Sequence, residues 1–164
     1  MGIFMGDSID AVAASLLEKG YKPVFKNGGA RWLEARNRWR FYCQNAKFWK
    51  IDNVSVSILS YPNTKAISEI SITKLDTSFR DELLSVLDEK YGTHKTKIEN
   101  FESNEEVKKN INEYHYIWDV AEGRVELVYR GKIGVWEESL SINYYSKSEV
   151  ELKDKIEKKM NSDL

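Results

Sequence analysis

One cysteine, two prolines and two histidines are all that 164 residues contain of those types, and each scarcity closes off a class of structure. A lone Cys43 excludes an intrachain disulfide, so the fold does not lean on oxidising surroundings. With only His94 and His115 beside it, no zinc site of the usual nitrogen and sulfur ligands can be assembled from one chain. No stretch approaches the roughly 18 successive apolar residues that a membrane span needs. The opening "MGIFMGDSID" has neither the charged n-region nor the apolar h-region of a secretion signal. A cytoplasmic setting is expected; a secretion signal already trimmed away would place the chain in the periplasm instead.

The motifs of common chemistries are missing too. There is no Gly-x-Ser-x-Gly elbow, no Gly-x-x-x-x-Gly-Lys phosphate loop and no Gly-x-Gly-x-x-Gly fingerprint, and "NGG" at 27–29 reads as a turn between strands. The carboxylate pairs Asp81-Glu82 and Asp88-Glu89 are adjacent on a helical segment. Neighbours there diverge by about 100°, so neither pair converges on a shared proton or metal, and both fall on or near the solvent side. Cys43 alternates with Trp39 and Phe41 and reads as a small buried hydrophobe. His115 alternates with Tyr114 and Tyr116 and reads as a residue of the wetter sheet face, whose truncation costs well under about 1 kcal/mol. No cofactor is expected.

What is present is a soluble-protein composition, 41% hydrophobic, 12% aromatic and 31% charged, in a length that suits one domain. The net charge of −1 hides an asymmetry. From Lys22 to Lys50 eight cations face one anion, a net of +7, so the rest of the chain carries −8. The densest part, "RWLEARNRWRFYCQNAKFWK" at 31–50, holds three tryptophans and six cations. As a strand, "RWRFYC" would send Trp39, Phe41 and Cys43 to the core and Arg38, Arg40 and Tyr42 to the outer face.

Asp7 or Ser8 can cap a first helix with apolar positions Ile9, Val12, Ala13, Leu16 and Leu17, ended by Gly20. A second starts at Thr77 or Ser78, buries Phe79, Leu83, Val86, Leu87 and Tyr91, and stops at Gly92. Strand patterns follow each. After the first come "RWLEA", "RWRFYCQ", "VSVSILS" and "KAISEISITKL"; after the second come "EYHYIWDV", "GRVELVYR" and "SLSINYYS", with Tyr114, Tyr116 and Trp118 forming one aromatic wall. "YPNTK" at 61–65 and Ala121-Glu122-Gly123 read as turns. Residues 93–110 are polar and without period, and read as a loop with a short helix at 105–109. A final helix, opened by the capping-box spacing Ser148-x-x-Glu151, carries Leu152, Ile156 and Met160 as its apolar stripe. The expectation is a single α+β domain, an antiparallel meander with helices packed on one face, arranged as candidate repeat halves 6–74 and 75–146 and a C-terminal helix at 148–160.

The segments "GDSIDAVAASLLEKGY", "LLSVLDEKYG" and "YIWDVAEGRVELVYR…LSINYYS" resemble in layout a loose group of small bacterial proteins, common among Bacteroidetes, whose helix-plus-meander repeat is similar to that of the beta-lactamase inhibitor protein and of BamE-type outer-membrane lipoproteins. The resemblance implies a protein-binding or scaffolding domain and carries over no functional residue. This chain lacks a lipobox cysteine near its start.

Three readings of function follow. The first is a non-enzymatic protein-interaction module, of inhibitor or immunity type, that presents Arg36, Arg38, Arg40 and Tyr42 to an acidic surface on another protein, since arginine and tyrosine are enriched at interface hot spots. The second is a nucleic-acid-binding domain using the basic aromatic segment 31–50. The third is an enzyme. The sequence names neither the partner nor the oligomeric state.

Overall fold

The computed structural model describes residues 5–21, 24–27, 38–102, 110–132 and 137–162. Among the described residues the fold is α+β: an eight-stranded antiparallel sheet with three helices packed against it. In chain order the elements are α1 (Ile9–Glu18), β1 (Val24–Asn27), β2 (Trp39–Phe48), β3 (Ile51–Ser60), β4 (Ile67–Leu75), a single 3-10 turn at Thr77–Phe79, α2 (Arg80–Tyr91), β5 (Lys95–Glu102), β6 (Asn110–Val120), β7 (Gly123–Arg130), β8 (Ser139–Ser146) and α3 (Lys147–Ser162). The strand order is β1-β2-β3-β4-β8-β7-β6-β5. Each helix-plus-four-strand half is a meander, and the two meet where β4 pairs with β8.

Alternation along the strands sorts the side chains into two faces. Register aligns Trp118 with Val125 and Tyr144, Tyr116 with Leu127 and Ile142, and Tyr114 with Tyr129 and Leu140, so the apolar sets of β6, β7 and β8 lie in rows across one face. Phe41, Cys43, Ile58, Ile70 and Ile72 continue that face through the first half, and with Ile9 and Val12 of α1 and Leu83 and Leu87 of α2 they make one core. A bulge holds β4 to this pattern. Lys74 takes φ 61°, which skips one position and returns Leu75 to the face of Ile72.

The C-terminal ends of α1 and α2 follow their glycine signals, whereas Ser8 stands at the start of α1 without a side-chain cap hydrogen bond. At the end of α1, Gly20 with φ 82° lets its own N–H bond the Leu17 carbonyl and that of Tyr21 bond the Leu16 carbonyl, the paired Schellman pattern. Asp76 accepts the Ser78 N–H at 2.9 Å and caps the turn that leads into α2. The helical stripes are narrower than their spacing suggests. Leu17 is 57% exposed and Val86 is exposed, because α1 and α2 each lay only one edge on the sheet. Leu16 is half-buried against the core.

Three expectations need correction. The polar stretch 93–110 is not a loop at its start: Lys95–Glu102 forms β5, pairing with β6 from Lys95↔Ile117 to Glu102↔Asn110. An edge strand has one neighbour and tolerates charge on both faces, so it shows no apolar alternation. The short helix expected at 105–109 lies outside the described residues, as does the strand expected at 31–35. Trp39 does not enter the core with Phe41 and Cys43 but stays 38% exposed at the start of β2, with Lys65 Nζ 5.2 Å from its ring centroid. The third helix is capped two residues earlier than Ser148: Ser146, the last residue of β8, accepts the Glu149 N–H at 3.4 Å.

That earlier start aims α3 across the opposite, polar face of the sheet. Its docking side is Glu149, Val150, Lys153, Asp154 and Ile156 rather than the stripe of Leu152 and Ile156, and Leu152 is exposed. Glu149 pairs with Arg38, 111 positions earlier, and both side chains are almost fully buried, 9% and 6% exposed. Asp154 accepts from Arg124 at 3.3 Å, and Lys153 Nζ sits 3.7 Å from the Tyr145 ring centroid. At the same corner Gly123 approaches the β8 backbone so closely that a Cβ would stand 1.9 Å from the Tyr145 carbonyl oxygen. No described helix is long and apolar enough to cross a membrane.

Two substitutions measure this architecture. Trp118 is 2% exposed and its truncation to alanine should lower the unfolding free energy by about 3–5 kcal/mol, read as a shift in the urea midpoint. Glu149→Ala removes the ion-pair partner of the Arg38 guanidinium beneath an intact α3 and should cost about 3–5 kcal/mol. Truncation before Lys147 removes the cover together with the carboxylate and returns Arg38 to water. That shortened chain should stay folded, and a midpoint loss larger than that of Glu149→Ala would contradict this account of α3.

Candidate functional site

The residues of β6 that face away from the core are Glu113, His115, Ile117 and Asp119. Alternation puts them there, and neighbouring strands set charged partners beside them. Across β5, Glu113 stands opposite Glu99 and His115 opposite Lys97; across β7, Glu113 stands opposite Arg130, Ile117 opposite Glu126 and Asp119 opposite Arg124. Two glutamates directly opposite each other repel unless cations intervene. Here they do: Arg130 Nε donates to Glu113 Oε2 at 2.6 Å, and Lys97 Nζ lies 3.0 Å from Glu99 Oε1.

His115 is the centre of the group. Its side chain is 14% exposed, with Nδ1 2.7 Å from Glu126 Oε1, and its Nε2 faces Glu113 Oε1 at 3.1 Å and Glu99 Oε2 at 3.7 Å. The hydrogen bond to Glu126 raises its pKa; burial opposes this, and the charges of Glu126, Glu99 and Glu113 reinforce it. Burial pushes Glu126 upward, but the bond to His115 and the charges of His115, Lys153 and Arg124 outweigh it and hold the carboxyl below its usual range. The reading of His115 as a cheap residue of the wetter face is therefore corrected. The register was as expected, but α3 roofs this face, and residues that would be wet on an open sheet become partly buried partners.

Between α3 and the sheet runs a groove of about 940 Å³, open to solvent. Glu99, Glu113, His115 and Glu126 line it on the sheet side together with Lys97, Arg124 and Arg130, and Lys153 and Asp154 line it from the helix. On β4, burial raises the pKa of Glu69 and the charge of Glu149 adds to it, with Lys153, Arg40 and Arg38 pulling it back.

Of the interface candidates, Arg36 lies outside the described residues. Arg38 is committed to Glu149. Arg40 and Tyr42 are half-buried on the same polar face as the groove, in the rows of Glu69 and Ser71, and Gln44 Nε2 donates to the Tyr42 hydroxyl at 3.4 Å. The segment's other described cations have carboxylate neighbours, Lys47 with Asp52 at 3.5 Å and Lys50 with Glu82 at 2.5 Å. Counting histidines and cysteines missed the group around His115, because its other members are glutamates on strands β5, β6 and β7. The signal that could have found them is the odd positions of β6, three of whose five residues, Glu113, His115 and Asp119, are ionisable.

The second histidine has a structural role. Asp88, expected on the solvent side of α2, accepts from Trp118 Nε1 at 3.0 Å, from the His94 N–H at 3.2 Å and faces His94 Nδ1 at 2.9 Å; Trp118 Nε1 also reaches the Gly92 carbonyl at 2.8 Å. The His94 ring meets Trp118 edge-on at 5.5 Å. Cys43 is buried, and burial raises its thiol pKa, which disfavours a thiolate.

The bond to His94, helped by that from Trp118 and opposed by burial, lowers the Asp88 pKa. A carboxylate depressed in the folded state stabilises above its unfolded pKa, about 3.9, and the contribution is lost as pH falls through the folded value. Urea midpoints from pH 5 to pH 2 should therefore drop more steeply for the wild type than for Asp88→Asn, and parallel curves would remove Asp88 from the acid response.

Comparisons with protein-family models, with curated proteins and with solved structures give no match to this chain, so its site stands on its own geometry.

Proposed function

We propose that this chain is a non-enzymatic protein-interaction module, of inhibitor or immunity type, that seats a polar segment of a partner protein along the open side of the α3 groove beside Arg40 and Tyr42. The supporting observation is the groove itself: about 940 Å³ of solvent-open space walled by charges of both signs. Acidic side chains of a partner would meet Lys153 in the groove and Arg40 on the same sheet face, and its basic or amide groups would meet Glu99. Such alternation favours register and specificity over bulk attraction. The layout resemblance to binding and scaffolding proteins points the same way.

The same observation weighs against nucleic acid. A phosphate backbone seeks a run of unpaired cations, whereas Arg38, Lys47 and Lys50 each have a carboxylate neighbour and the groove floor carries three glutamates. An enzymatic reading is weaker than the leading one for a related reason. Cys43 is buried, and both histidines are held by carboxylates.

Affinity capture from the source cell, run in parallel with wild type, Arg40→Ala and Tyr42→Ala, tests the reading. A specific protein retained by wild type and reduced at least ten-fold by either variant is expected, with circular dichroism confirming that both variants are folded. Binding of single-stranded or duplex nucleic acid at low salt, with no such protein retained, would replace this reading with the nucleic-acid one.

A further inference from the structure

We propose that Glu99, Glu113 and His115 bind a divalent transition-metal ion, with Lys97, Arg130 and Glu126 holding the three ligands in position. One ligand atom from each residue lies within 4.8 Å of the others. Ligand atoms on a tetrahedral ion with bonds of about 2.1 Å stand roughly 3.4 Å apart. The separations from His115 Nε2, 3.1 Å to Glu113 Oε1 and 3.7 Å to Glu99 Oε2, bracket that value.

The orientation of each ligand adds to the distances. Glu113 and Glu99 each give one oxygen to an outside cation, Oε2 to Arg130 and Oε1 to Lys97, and turn the other inward. Glu126 takes the Nδ1 side of His115, so that in the neutral ring the proton sits on Nδ1 and the lone pair on Nε2. A carboxylate behind the imidazole, with the far nitrogen on the metal, is the usual support of metal-binding histidines. The Nε2 atom is itself shut off from solvent, and although two carboxylate oxygens face it, it makes no hydrogen bond. A cation in that gap would be met by Nε2 and two carboxylate oxygens at once.

The donor set selects the ion. One imidazole nitrogen and two carboxylate oxygens, without sulfur, suit zinc, manganese, cobalt or ferrous iron and do not suit cuprous copper. Three protein ligands leave a coordination position for water or for an anionic group, and the site opens on the groove from which either can enter.

Full-length protein stripped with a chelator is titrated with Co²⁺, followed by visible absorption, and with Zn²⁺, followed by calorimetry. One ion per chain is expected. Glu99→Gln, at a partly exposed residue that leaves the core untouched, and His115→Ala should each weaken binding at least ten-fold, Glu126→Gln by about 10–100-fold through the imidazole it orients, and Glu89→Gln on α2 not at all. Absence of uptake at millimolar metal overturns the proposal. So does equal uptake by wild type, Glu99→Gln and His115→Ala, or a His115 ring whose nitrogen resonances remain those of an imidazolium when metal is added.

Discussion

The buried ion pair between Arg38 and Glu149 joins the start of β2 to the first turn of α3, and the character of the whole second face depends on it. Without that cover the sheet would be an ordinary two-sided one, apolar under α1 and α2 and wet on the other side. With it, Glu113, His115 and Glu126 pass from solvent into a partly enclosed slot where charges act on one another more strongly than in water. A buried pair is a poor source of net stability, because desolvation consumes most of the attraction. Its effect is positional. The ion pair and the Ser146 cap act on the same turn, and together they set the line along which α3 crosses the strands.

The core is insensitive to that arrangement because it rests on the opposite alternation. Trp118 illustrates the separation: its ring packs in the helix-covered layer, its N–H is spent on Asp88 and the Gly92 carbonyl, and its sequence neighbours Ile117 and Asp119 already belong to the other face. One strand thus serves two environments residue by residue. Substitutions on the polar side of β6 can change the groove without disturbing the layer that holds the fold together, which is the condition under which a binding surface can vary on a fixed frame.

Much of this was legible in the residue order. The three helices, the two meanders, the turns at 61–65 and 121–123 and the aromatic rows of β6 to β8 follow from periodicity and from glycine and serine at element ends. What escaped did so for physical reasons. Strand β5 has no apolar face to betray it, since an edge strand needs none. Trp39 looked like core because it shares a face with Phe41, but face is not coverage, and at the start of β2 it stays 38% exposed. The group around His115 was invisible because its members, Glu99, Glu113 and Glu126, come together only through strand register.

The seam between β4 and β8 has a consequence for how the chain is made. Ser71 donates to Asn143 across that seam, 72 positions away. At a synthesis rate of about 5–20 residues per second, β4 emerges roughly 4–14 s before its partner. During that interval the first half presents Ile67–Leu75 as a bare edge rich in isoleucine, the kind of strand that recruits other chains. Two serines and a glutamate, Ser68, Glu69 and Ser71, interrupt its hydrophobicity. In the finished protein Glu69 and Ser71 line the seam with β8, and polar residues in such a strand are the kind that limit edge-to-edge pairing.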